Sequence, residues 1–191
     1  MTRIAGFPGE FLGELDISAR HILGMAEAFP ADAYDWYPDP RARCVSEVFV
    51  HIATGNYLLL DLIGVPVPVV LYPHLPPAGA DSSAASERFA AFLRVNDELV
   101  ASIREKSDII PLLQRCLAAV EAAFRQSSND DLDREVQFVG EPSTVRRVYL
   151  RLLTHNHEHM GQLTAYLRSN NIAPPWPEFR RPPGAERRVQ H

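Results

Sequence analysis

The stretch HNHEHMGQLTAYLR, residues 155–168, concentrates ligand-type side chains. Successive residues of an α-helix turn by about 100°, so His155 and His159 lie one turn apart on one face, about 40° from each other. His157 falls about 200° from His155, on the opposite side. The face continues through Val148, Leu152, Leu163 and Tyr166, and its apolar members mark it as turned to the core. Two imidazoles are thereby placed inside the protein, where an unpaired polar group costs roughly 1–3 kcal/mol. A divalent metal resolves both at once, because it takes neutral imidazole nitrogens as ligands. A third ligand has to come from another buried helix, and His51 in the apolar run VFVHIA is the candidate. Three histidines leave one coordination position open for water or substrate, the pattern of catalytic rather than structural sites. The ligand set favours zinc, with nickel or another first-row ion as the alternative.

Blander readings compete. A lone core histidine is more often hydrogen-bonded to its surroundings than a ligand, and HxxxH pairs arise by chance. A core-facing HxxxH together with a second mid-helix histidine outweighs them. His21, His74, His157 and His191 read as surface or loop residues. The string HNHEH also fits HxxEH, in which Glu158 would be the general base of a metallopeptidase. That class needs a further carboxylate ligand downstream, and only Glu178 and Glu186 follow, both in a proline-rich tail. The peptidase reading is therefore set aside. No GxGxxG, GxxxxGK[ST] or GxSxG motif occurs. Cys44 and Cys116 have neither CxxC spacing nor a nucleophile context and read as core or cap residues.

The elements that must position these residues are helices. Residues 8–29 carry Phe11, Leu15, Ile22, Met25 and Phe29 at helical spacing, interrupted by Ser18. Pro8 suits the first turn and Pro30 the stop. DAYDWYPDPRAR is a proline-broken connection. Residues 45–63 form a second helix that is apolar nearly all round, hence central. GVPVPVVLYPHLPP is an extended crossover, long enough to let two neighbouring helices run parallel. Residues 81–104 form one helix or two short ones. Residues 109–126 form another, with Pro111 in its first turn, and residues 144–168 the last, with Ser143 as N-cap candidate. SSNDDLDREVQFVGEPS is polar, then briefly apolar, then a turn. The expected fold is an all-α four-helix bundle over residues 1–178. Trp176 anchors the first part of the proline-rich stretch NIAPPWPEFRRPPGAERRVQH to the bundle, and a flexible, Pro- and Arg-rich tail covers residues 179–191.

With 191 residues, 46% hydrophobic and 23% charged, the chain can bury one sizeable core without disulfides. A net charge of −5 argues against binding nucleic acid through phosphate neutralisation. The start MTRIAGFPGEFLGELD is not a signal peptide, no apolar run approaches the ~20 residues of a membrane span, and two cysteines suit a reducing compartment. A cytoplasmic protein with no membrane or nucleic-acid partner is expected.

Two segments together resemble the DinB/YfiT-like family of small metal-binding helical bundles. One is DWYPDPRARCVSEVFVHIATGNYLL; the other is FVGEPSTVRRVYLRLLTHNHEHMGQLTAYLRSNNIAPPW, in which HxxxH is followed by x-G-Q and then YLR. The resemblance spans about Ile17 to Trp176. It implies a four-helix core with a crossover, metal ligands at His51, His155 and His159, and a homodimer. In some relatives it implies a thiol-dependent S-transferase or a mycothiol-dependent maleylpyruvate isomerase, in which metal activates a low-molecular-weight thiol. Where relatives commonly have Ser at the start of the second helix this chain has Cys44, with Glu47 three residues on, which weakens the capping box. Gly161 would let a neighbouring element approach, and Gln162 could orient a ligand or bound water or simply pack. The leading functional expectation is a metal-dependent transferase acting on a small-molecule substrate with a low-molecular-weight thiol. The alternatives are a hydrolase with metal-bound water as nucleophile and a non-enzymatic, metal-bearing binding or stress-response module.

Overall fold

The computed structural model describes residues 6–77, 82–138 and 140–176; the tail after residue 176, with Glu178, Glu186 and His191, lies outside them. The described chain is helical apart from one small hairpin. Helix α1 covers Gly6–Ala28, α2 Val45–Leu62, α3 Ser82–Ser102, α4 Lys106–Gln126, α5 Asn129–Asp133 and α6 Val145–Ser169. Strands β1 (Glu135–Phe138) and β2 (Glu141–Thr144) pair antiparallel, with Glu135 opposite Thr144 and Phe138 opposite Glu141.

Four helices close the core as a ring in which α2 packs on α4, α4 on α1, α1 on α6 and α6 on α2, while α3 packs against α2. Contacts at the helix ends fix their directions. Lys106 at the start of α4 donates to the carbonyls of Glu27 and Phe29 at the end of α1. Phe11 near the start of α1 stacks on Phe124 near the end of α4, so these two run antiparallel. Phe11 also meets Tyr149 at the start of α6, and Met25 meets Thr164 further along, so α1 and α6 run parallel. The Tyr166 hydroxyl, late in α6, donates to the carbonyl of Arg43 just before α2, so α6 opposes α2. It follows that α2 and α4 are parallel neighbours, the arrangement for which a long crossover is required. That crossover is held by Tyr72, whose buried hydroxyl donates to Asn96 of α3, which in turn donates to the carbonyl of Thr54 in α2.

The sequence expectations hold for the bundle and fail in detail. Ser18 is fully buried, and its hydroxyl donates to the Leu15 carbonyl, so the interruption of the α1 face is satisfied within the helix. Residues 82–102 form a single helix. Helix α4 starts three residues before the expected position, at the polar KSD segment. Pro111 therefore sits in its second turn and cannot donate to Ser107. The N-cap of α6 is Thr144, whose side chain accepts from the Arg147 N–H, and not Ser143, which lies in β2. Short helix α5 and the hairpin carry too few residues to show a period, and the hairpin turns at Gly140 with φ 79°. Trp176 is buried and packs against His21 with ring centroids 4.5 Å apart, so the half-buried His21 takes part in packing. No helix among the described residues is long and apolar enough to cross a membrane.

Candidate metal centre

Helix α2 is buried along nearly its whole length because α3, α4 and α6 all pack on it, and His51 projects from it toward α6. The Glu47 carboxylate accepts from the Cys44 N–H at 2.9 Å. Both reciprocal contacts of the capping box are made despite the sulfur at the cap, which also meets the Ser46 hydroxyl at 3.1 Å. From α6 come His155, 7% exposed, and the half-buried His159. The three rings converge, with centroids 5.1 Å (His51–His155), 4.8 Å (His51–His159) and 4.7 Å (His155–His159) apart. One nitrogen from each lies within 4.8 Å of the others.

Three observations fit a metal ion. The Nε2 atoms of His51 and His155 are 3.3 Å apart, and two tetrahedral ligands about 2.05 Å from one ion stand roughly 3.3 Å apart. The His155 Nδ1 is buried with no hydrogen-bond partner among the described residues, so His155 is not a histidine satisfied by its core surroundings. All three rings are held neutral, with lone pairs available. Burial, reinforced by the charges of Arg43 and His159, lowers His51 to about 4. Burial, with His159, His51 and Arg151, lowers His155 to about 3. His159 is also lowered by burial, against the opposing effect of its hydrogen bond to Gln162.

That hydrogen bond begins a chain. The His159 Nδ1 donates to Gln162 Oε1 at 2.9 Å, Gln162 Nε2 donates to the Tyr166 hydroxyl at 2.8 Å, and Tyr166 donates to the Arg43 carbonyl at 3.0 Å. The chain fixes the tautomer that leaves His159 Nε2 free for a ligand role. Trp36 packs edge-on against Tyr166.

Outside the triad, His157 is exposed and meets the Leu153 carbonyl at 2.8 Å, and His74 is exposed on the crossover. Glu158 is exposed and paired with Arg151 through both carboxylate oxygens, at 2.7 and 3.0 Å, and takes no place among the ligands. Cys116 donates to the Ala53 carbonyl and is pushed up to about 12 by burial, which removes it as a nucleophile. The close approach expected at Gly161 is not there: a Cβ at that position would meet nothing within 4 Å. It occurs at Gly55, where a Cβ would lie 2.5 Å from His155 Cε1 and 3.0 Å from its Nε2. A glycine inside an apolar helix, one turn after His51, costs about 1 kcal/mol in helix propensity, and that was the signal in the sequence for its role.

Beside the histidines a cavity of about 590 Å³ opens between α2 and α3; His51, His155, Gly55, Arg43 and Glu47 are among its lining residues. Residues 14–163 match the family profile of the DinB superfamily. The structure is similar to that of a DinB-like protein from Bacillus cereus (TM-score 0.61, 15% identity, 87% of this chain and 94% of that one covered). It is also similar to a DinB-like protein from Bacillus subtilis (TM-score 0.59, 16% identity, 86% and 94% covered). No curated protein sequence matches the chain.

Proposed function

The chain belongs to the DinB superfamily, and on that premise we propose that it is a metal-dependent transferase that uses a low-molecular-weight thiol. The observation that carries the reading is the cluster of three neutral imidazoles, two of which, His51 and His155, line an open cavity. A divalent ion held by His51, His155 and His159, zinc being the best match to the donor set, would act there as a Lewis acid that lowers the pKa of a thiol. The thiol proton passes to solvent, sulfur bonds to the electrophilic carbon of the second substrate, and the leaving group departs with its electron pair.

The residues around the triad favour this over hydrolysis. An ion on three histidines would itself bring bound water to a pKa near 7, but protonating the leaving group in hydrolysis still calls for an acid–base residue whose pKa sits near 7. Partial burial pushes the Glu47 carboxyl up, but hydrogen bonds from the Cys44 N–H and the Arg104 guanidinium outweigh it and hold the group below the usual carboxylate range. The Glu158 carboxyl is held low by Arg151. Sulfur chemistry needs no such base. We also propose a homodimer, supported by Ile17 on α1 and Leu150 on α6, both large and exposed.

The test is turnover of 1-chloro-2,4-dinitrobenzene by zinc-loaded protein with a panel of small thiols. Thiol-dependent turnover that disappears in His155→Ala is the expected result. Hydrolysis of an activated ester without any thiol would replace the reading by the hydrolase. Silence in both assays would leave a binding module.

A further inference from the structure

The charges lining the cavity are unequally partnered. Glu47 is bound to Arg104 at 2.8 Å, and Arg151 to Glu158. Arg43 and Asp97 also line the cavity. Both are exposed, and among the described residues neither forms an ion pair. Among the described residues Arg43 is the cavity's one lining cation without a carboxylate. Its backbone is fixed relative to the histidines, because its carbonyl terminates the chain His159–Gln162–Tyr166. Its charge reaches the rings of both His51 and His159. Asp97 stands on α3, and the rest of the lining includes the apolar side chains of Leu58, Leu59, Leu93 and Val100.

We propose that the cavity takes a substrate bearing a carboxylate, which the Arg43 guanidinium binds while the apolar body lies against Val100 and Ala101 and the reacting end faces the histidines. A guanidinium presents a planar fork that matches a carboxylate in two parallel hydrogen bonds. An unpaired cation in a concave, partly apolar wall also raises the local concentration of anions. Asp97 repels a carboxylate from the α3 side, so the two unpartnered charges give the cavity a polarity and a ligand one orientation. The placement of the reacting end rests on the metal-dependent thiol reading; the carboxylate contact does not.

Two titrations separate these. Metal-free protein is titrated with benzoate and with benzamide at low ionic strength, wild type against Arg43→Gln. Benzoate should bind at least about tenfold more tightly than benzamide to the wild type, and Arg43→Gln should abolish the difference, with Arg43→Lys restoring part of it. Cobalt-loaded protein is then titrated with 3-mercaptopropionate and its amide, read by the sulfur-to-cobalt absorption band. The acid should again bind about tenfold more tightly, and only when Arg43 is present. Equal affinity for benzoate and benzamide in the wild type, or a preference that survives Arg43→Gln, overturns the proposal. No sulfur-to-cobalt band with either thiol, alongside an Arg43-dependent preference for benzoate, supports the carboxylate site and sinks the thiol function instead.

Discussion

Replacing Gly55 by alanine should dismantle the metal centre without unfolding the protein. The added Cβ would stand 2.5 Å from His155 Cε1, whereas carbon atoms in contact prefer about 3.5–4.0 Å. The imidazole therefore has to retreat by about 1 Å. A metal–nitrogen bond tolerates deviations of only about 0.2 Å. The His155 ring is then lost as a ligand or held far from its best position. Disturbing a partner outside the ligand set already costs roughly 10–100-fold in metal affinity, so displacing a ligand should cost about 100-fold or more. The helix itself gains from the substitution, because alanine is about 1 kcal/mol better than glycine in a helix interior. Zinc affinity is read by competition with a chromophoric chelator, and folding by circular dichroism of the metal-free protein. Gly161→Ala, on the facing helix with nothing within 4 Å of its Cβ, is the control: zinc affinity unchanged and stability raised by about 0.5–1 kcal/mol. Wild-type zinc affinity in Gly55→Ala would falsify the reasoning that this glycine makes room for the ligand ring.

His155→Ala and His159→Ala should each abolish tight zinc binding and His51→Ala should weaken it severely, while the exposed His157→Ala keeps full metal content by elemental analysis. Because the folded pKa values of His51 and His155, about 4 and about 3, lie below the ordinary 6.5, the unfolded chain takes up protons that the fold refuses. Stability of the metal-free protein should be fully present above pH 6.5 and decline as the pH falls through 6.5 toward 4 and 3. Urea midpoints measured across that range check it, and a midpoint that rises on acidification would contradict it. Metal should be released over the same interval, since the ligands must be neutral to bind. Light scattering should return the mass of two chains at micromolar concentration, and a single-chain mass at every concentration would remove the homodimer.

The sequence by itself determined the helices and most of the site. Periodicity suffices for that, because a helix turns a fixed angle per residue: a face of Val148, Leu152, Leu163 and Tyr166 must carry His155 and His159 inward, and all four apolar residues are buried. The run VFVHIA, apolar nearly all round, likewise announces a central helix. Other features were decided only by the packing of chain segments remote in sequence. Nothing local relates Gly55 to His155, a hundred residues away, until α2 and α6 cross close enough to demand a missing Cβ. For the same reason Gly161, beside the motif, reads as the site of a close approach that the packing places at Gly55. Arg43 reads as an ordinary surface arginine until Tyr166 ties its carbonyl to the chain behind His159 and the cavity forms beside it. The neutrality of the histidines is also a tertiary property: desolvation acts through the burial that packing creates, and no spacing along the chain encodes it.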